Sequence, residues 1–104
     1  MLEGSLYQVL TKEEGCATVR FLPESPVYAA HFPGFPITPG VTLVQMALEL
    51  MGRRLRSAKD IKFLQPVFPG ATLRVEWTVS PDGAAEVKLL GAEGELCARM
   101  LVSV

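Results

Sequence analysis

Residues 31–50 read HFPGFPITPGVTLVQMALEL. Its second half is a run of apolar residues that only Thr42, Gln45 and Glu49 interrupt. A helix that is apolar on nearly all sides is usually buried rather than laid on a surface. The sequence therefore predicts one long buried helix from residue 41 to about residue 55.

The ends of this helix carry their own signals. Thr38 is a suitable N-cap residue, and Pro39 suits the first helical position. Arg53, Arg54 and Arg56 follow the apolar run. Positive charge at the carboxyl end of a helix interacts favourably with the helix dipole. We therefore expect these arginines to lie at the end of the helix.

Six other segments have the composition or the alternation typical of strands, and the clearest is the one that starts at Cys16. The predicted strands cover residues 5–10, 16–22, 60–63, 71–79, 85–90 and 96–104. Turns at residues 80–83 and 91–94 would join the last three into an antiparallel meander. Residues 23–40 are rich in proline and glycine, which predicts an ordered loop, and a loop of this length in a small domain is usually functional.

An antiparallel sheet wrapped round one long central helix is the simplest way to bury that helix. We therefore predict an α+β fold, with residues 1–104 forming a single domain. The length of 104 residues and the 49% of apolar residues are compatible with one core.

Composition and charge argue against several classes of protein. The net charge is −1, so no basic field is available to attract nucleic acid. Two cysteines far apart and one histidine do not give the spacing of a metal site, and no cofactor is expected. No apolar stretch reaches the roughly 18 residues of a membrane span, and no secretory signal is recognised at residues 1–10. We therefore expect a cytoplasmic protein with free thiols.

The loop and the start of the helix together suggest a catalytic arrangement. Prolines at positions 33, 36 and 39 stiffen the approach to the helix. Gly40 lies in the first helical turn, where a backbone N–H without a partner can polarise a carbonyl oxygen. His31 can move a proton near neutral pH, and Gln45 and Glu49 share a helix face with Thr42. The alternative is structural: a packed histidine, a rigid loop and the solvent side of an ordinary helix.

HFPGFPITPGV followed by an apolar helix resembles the active-site segment of the hotdog-fold 3-hydroxyacyl-acyl-carrier-protein dehydratases. The later IKFLQPVFPGATLRVEW, residues 61–77, resembles the strand-turn-strand that follows the helix in that family. The short chain also resembles dehydratase-like hotdog proteins linked to aryl-polyene or other specialised lipid pathways. The resemblance implies the hotdog fold, a homodimer or larger even-numbered oligomer, and acyl carrier protein as the partner that presents the substrate.

The resemblance also implies roles for individual residues. His31 matches the base that removes a proton next to the thioester carbonyl, and Gly40 matches the donor to that carbonyl. Gln45 stands where the family has an acidic residue that reaches the site from the partner subunit, and Glu49 is a candidate assistant one turn further along. The residues implied to line the acyl tunnel and bind substrate are Phe32, Pro33, Gly34, Phe35, Pro39, Val41, Val44 and Leu48.

Gln45 is a departure from the family pattern, because an amide cannot deliver a proton as a carboxylic acid does. Three outcomes stay open. Glu49 acts instead through a water, Gln45 suffices for a substrate whose hydroxyl leaves easily, or the protein no longer dehydrates anything. Three functions stay open as well: a dehydratase, a catalytically silent dimer that binds the carrier or its acyl chain, and a hotdog thioesterase in which Glu49 activates water. The basic run from Arg53 to Lys62 is a candidate surface for the acidic carrier protein, or else an ordinary solvated face.

Overall fold

The computed structural model describes residues 1–30, 34 and 36–104. The helices and strands in chain order are β1 (Tyr7–Glu13), β2 (Cys16–Phe21), α1 (Pro26–Ala30), α2 (Gly40–Met51), β3 (Ser57–Phe63), β4 (Thr72–Val79), β5 (Ala84–Leu90) and β6 (Leu96–Ser103). None of the helices in these ranges is long and apolar enough to cross a membrane.

All six strands belong to one antiparallel sheet with the order β1-β2-β4-β5-β6-β3. The predicted meander is confirmed, because β4, β5 and β6 are neighbours joined by turns at Gly83 and Gly94. The predicted alternation in β2 is also confirmed: Ala17, Val19 and Phe21 are buried, whereas the residues between them are partly exposed. Strand β3 is the last strand in this spatial order and therefore forms one edge of the sheet.

Helix α2 and the inner face of the sheet share one hydrophobic core. The helix contributes four buried residues at helical spacing: Leu43, Met46, Ala47 and Leu50. The sheet contributes inward-facing residues from β2, β4, β5 and β6, with Phe21, Val75, Val87 and Met100 at most 1% exposed. The predicted α+β architecture, a sheet packed on one long helix, is what the structure shows.

Helix α2 ends earlier than predicted, at Met51 rather than near residue 55. Gly52 adopts a left-handed conformation (φ 66°), and its N–H and that of Arg53 bond to the carbonyl oxygens of Glu49 and Leu48. This is the usual way in which a glycine closes a helix. The arginines therefore lie beyond the helix, not in its last turn, and that prediction was wrong.

The start of α2 also differs from the prediction. Pro39 is the N-cap and Gly40 the first helical residue, and no side chain caps the helix. The hydroxyl of Thr38 is instead within 2.8 Å of the Tyr28 hydroxyl, and the Thr38 N–H donates to the Val67 carbonyl oxygen. Both side chains are buried, so this pair fixes α1 against the approach to α2. The expected loop thus contains a short helix, α1.

The prediction that α2 is buried all round is only partly right. One side of the helix exposes apolar residues: Val41 is 75% exposed, and Val44 and Leu48 are half-buried. Past the helix, Leu55 is 43% exposed and Phe63 on the edge strand β3 is 50% exposed. An apolar helix side next to an open sheet edge is a surface that a second molecule would cover.

Candidate active site

Gly40 opens onto a groove at the start of α2. We call this the helix-start groove; it measures about 270 Å³ and is lined by Ile37, Thr38, Gly40, Leu43, Phe63 and Leu64, among others. Within residues 1–30, 34 and 36–104, the Gly40 N–H has no hydrogen-bond acceptor. This is the condition in which the first N–H groups of a helix can bind an anionic or polarised oxygen.

The ring of Phe63 covers the Cα of Gly40. A methyl group built on Gly40 would lie 2.6 Å from Cζ of Phe63, closer than any real contact of that kind. Two physical reasons therefore favour glycine at position 40: it leaves room for this ring, and it leaves the backbone N–H unshielded. Sequence reasoning found only the second, although Phe63 lies within the IKFLQP segment that carried the family resemblance.

Gln45 and Glu49 lie on another side of the helix, at a larger groove. We call this the helix-flank groove; it measures about 630 Å³, and its lining includes Val41, Val44, Gln45, Leu48, Glu49 and Arg53. Three residues predicted to contact an acyl chain, Val41, Val44 and Leu48, are thus brought together with the two polar candidates. Thr42, the third polar residue predicted on this helix face, bonds instead to its own helix: its hydroxyl donates to the Pro39 carbonyl oxygen at 2.6 Å.

The Glu49 carboxylate is the centre of a hydrogen-bond network. It accepts from the backbone N–H groups of Leu2 (2.8 Å) and Glu3 (3.2 Å), from the Tyr7 hydroxyl (2.8 Å) and from Nε2 of Gln45 (3.0 Å). The carboxylate therefore ties the N-terminal segment and β1 to helix α2. No sequence signal indicated the two backbone donors, because any residue other than proline at positions 2 and 3 would supply them.

These contacts keep Glu49 ionised. Burial by itself raises the pKa of this carboxyl, but the hydrogen bonds from Gln45, Leu2, Tyr7 and Glu3 outweigh it and hold the pKa below its ordinary value. Burial, followed by the contact with Glu49, raises the pKa of Tyr7 in turn. A carboxylate with a lowered pKa and four donors is a weak proton donor and a weak general base near pH 7.

Gly40 and Gln45 face different sides of helix α2. They are five residues apart, which at about 100° per residue places them about 140° apart around the helix axis. They line different grooves accordingly.

Several predicted residues lie outside the described part of the chain: His31, Phe32, Pro33 and Phe35. Gly34 is described by itself and has a left-handed backbone, with φ of 84°. Pro39 is buried at the N-cap of α2. The two cysteines, Cys16 and Cys97, are both free, and burial raises the pKa of the Cys97 thiol.

The order of the strands and the position of α2 define the hotdog fold, the class implied by the sequence resemblance. A family model described as "ApeI-like: ApeI dehydratase" matches residues 8–100. The chain belongs to this ApeI-like dehydratase family.

Known proteins agree with this assignment at different levels. The 3-hydroxyacyl-[acyl-carrier-protein] dehydratase FabZ of Solibacter usitatus is 32% identical over 80 residues, which cover 64% of this chain and 49% of that protein. The chain spans about half the length of the curated relatives it matches.

Solved structures show the same fold. The dehydratase heterocomplex ApeI:P from Xenorhabdus doucetiae matches with a TM-score of 0.72 and 17% identity, covering 97% of both chains. A mutant hypothetical thioesterase from Streptococcus pneumoniae matches with a TM-score of 0.65 and 13% identity, covering 93% of this chain and 87% of that chain. At these identities the likeness concerns the fold alone.

Proposed function

We propose that the protein dehydrates 3-hydroxyacyl thioesters carried on acyl carrier protein, and that it does so as a homodimer or a larger even-numbered homo-oligomer in the cytoplasm. The observation that carries the proposal is the start of α2, where Gly40 presents a backbone N–H and no side chain to the helix-start groove. Membership of a dehydratase family and similarity to FabZ proteins support the choice of reaction.

In this mechanism the thioester carbonyl oxygen accepts a hydrogen bond from the Gly40 N–H. His31 removes a proton from the carbon next to that carbonyl, and the negative charge that develops on the oxygen is stabilised by the N–H and the positive end of the helix dipole. The C–O bond at carbon 3 then breaks and the conjugated double bond forms. The departing hydroxyl needs one proton to leave as water.

The source of that proton follows from the residues at positions 45 and 49. Gln45 has no acidic proton, and the pKa of Glu49 lies below its ordinary value, so Glu49 is ionised at neutral pH. His31 is then the group that returns to the hydroxyl the proton it took from carbon. Gln45 from the second copy orients the hydroxyl, and the acyl chain follows the apolar side chains of Val41, Val44 and Leu48.

The test is the product of a 3-hydroxyacyl-carrier protein incubated with purified protein. Loss of one water, together with the ultraviolet absorbance of a conjugated thioester, is expected from the wild type and not from His31→Ala. If His31→Ala dehydrates the substrate as fast as the wild type, the roles assigned here are wrong.

Gln45 favours a second candidate, a catalytically silent dimer that binds the carrier or its acyl chain. Tight binding of the acylated carrier with no turnover, not restored by Gln45→Glu, would support this candidate. A thioesterase that uses Glu49 to activate water is disfavoured, because that carboxylate is engaged by four donors and its pKa is lowered. Release of a free acid would identify it.

A further inference from the structure

The contact between Gln45 and Glu49 fixes which end of the Gln45 amide is free. Nε2 of Gln45 donates to Oε2 of Glu49 at 3.0 Å. An ionised carboxylate only accepts hydrogen bonds, so the carbonyl oxygen of Gln45 cannot take the place of Nε2 without facing another negative oxygen. The amide is therefore held in one of its two orientations.

Glu49 itself has little freedom to turn away. Its Oε1 accepts from Tyr7, Leu2 and Glu3, and its Oε2 accepts from Leu2 and Gln45. These donors come from the N-terminal segment, from β1 and from α2. Apart from Gln45, the carboxylate is thus fixed from two directions, by the N-terminal segment and by β1.

We propose that Glu49 is a positioning residue that holds the Gln45 amide with its carbonyl oxygen free in the helix-flank groove. The Gln45 oxygen then accepts a hydrogen bond from the substrate. A 3-hydroxyl group donates to such an oxygen, whereas a 3-oxo group cannot. The inference rests on the proposed function, in which Gln45 meets the substrate hydroxyl. The inference adds that selectivity for the hydroxyl depends on Glu49, which need not contact the substrate.

Glu49→Gln is the sharpest variant because it changes no side-chain length. Three donors need the oxygen at the Oε1 position, so the new amide at position 49 would place its NH₂ at the Oε2 position, towards Gln45. Gln45 would then turn over to accept from it and present its own NH₂ to the groove. At Oε1 the oxygen still accepts from Tyr7, from Glu3 and, in its longer contact of 3.1 Å, from Leu2, whereas the shorter Leu2 contact at Oε2 (2.8 Å) is lost. The change therefore reverses the polarity of position 45 and keeps three of the four contacts that residues 2, 3 and 7 make with Glu49.

The experiment measures the affinity of two unreactive probes, the pantetheine amides of 3-hydroxyhexanoic and 3-oxohexanoic acid, by calorimetry. Wild type should prefer the hydroxy probe by about tenfold, the value of one ordinary hydrogen bond. Tyr7→Phe is the matched control: it removes one donor to Glu49 and leaves the Gln45 contact, so the preference should stay. Glu49→Gln and Gln45→Met should both lose it.

A folded Glu49→Gln protein that keeps the preference would overturn the inference, and so would a wild type that shows none. If Glu49→Gln does not fold, Glu49→Asp replaces it, because the shorter side chain withdraws the carboxylate from Gln45, and the same loss is expected. Failure of the proposed function looks different: wild type would prefer the hydroxy probe yet leave a 3-hydroxyacyl thioester unchanged.

Discussion

The ring of Phe63 at the end of β3 lies against Gly40 at the start of α2, so close that a methyl group on Gly40 would be 2.6 Å from Cζ of the ring. The contact joins the edge strand of the sheet to the helix N-terminus. Because Phe63 is half exposed, its ring is held by this contact on one side and is free on the other.

Gly40→Ala should therefore reduce activity more than stability. The atoms that a methyl group would meet are the far end of a half-exposed side chain, so the Phe63 ring can turn aside at a cost of about 1 kcal/mol, whereas a methyl group beside the N–H should lower kcat about 10²-fold or more. Gly40→Ala combined with Phe63→Ala should recover that small loss of stability, because the ring is gone, but not the activity. Urea denaturation and dehydration rates of the two variants measure this; full activity in the double variant would mean that Gly40 is needed only for space.

Gln45→Glu should create a proton donor of unusual pKa. The new carboxyl at position 45 would lie about 3.0 Å from that of Glu49, and two carboxyls at this distance cannot both ionise easily. The pKa of the pair rises, so the kcat of Gln45→Glu divided by that of wild type should increase as the pH is lowered from 7 to about 5–6, where one proton is shared. The ratio is used because protonation of the base His31 lowers the kcat of both proteins over the same range.

The control for this variant is Gln45→Glu combined with Glu49→Gln, which has only one carboxyl. The pH dependence of its kcat relative to wild type should be that expected for an ordinary glutamate, with no increase between pH 7 and about 5–6. An identical profile in the single and double variants would show that positions 45 and 49 are not coupled.

The Glu49 network should make stability depend on pH in the acidic range. The pKa of Glu49 is lowered in the folded protein, so its contribution is fully present above the unfolded value of about 4.3 and is lost as pH falls through the lower folded value. Glu49→Gln should be less stable than wild type at pH 7, and the difference should shrink at about pH 3. Asp82, whose pKa is also lowered, is common to both proteins and cancels in the comparison. A difference that stays constant with pH would contradict the network.

Arg53 and Arg54 should matter for a carrier-bound substrate and not for a small one. Both are exposed beyond the end of α2 and line the same groove as Gln45. Reversing them with Arg53→Glu and Arg54→Glu should raise KM for the acylated carrier about tenfold or more, because close charge pairs steer acidic partners, and leave KM for a pantetheine thioester unchanged. Lys12→Glu, an exposed reversal on β1, is the control. Equal effects on both substrates would place the arginines in the substrate site itself.

The sequence was most informative where a local pattern determines the structure. Alternation in β2, the turns at Gly83 and Gly94 and the apolar run of α2 are all local, and the structure has each of them. Gly52 is a residue type that commonly ends helices, but the prediction did not use it and placed the end of the helix too late.

Contacts between distant segments could not be predicted in the same way. The bond of Thr38 to Tyr28 replaced the expected N-cap, and the N–H groups of Leu2 and Glu3 occupy Glu49. A backbone N–H group does not depend on the identity of the side chain, so no sequence pattern predicts such a donor. The separation of Gly40 from Gln45 around the helix follows from their spacing in the sequence. That the two residues line different grooves could be learned only from the structure.

The central claim is that a complete site forms between two copies, with His31 and Gly40 from one and Gln45 from the other. The most direct measurement mixes His31→Ala with Gln45→Met, two proteins that each lack one residue of the site, allows the subunits to exchange, and follows the ultraviolet absorbance of the conjugated thioester. A shared site predicts that the activity rises above the mean of the two components on mixing, because a mixed dimer contains one site with both native residues. A mixture whose activity stays at the mean of its two components, although exchange is shown by mass spectrometry, would contradict it.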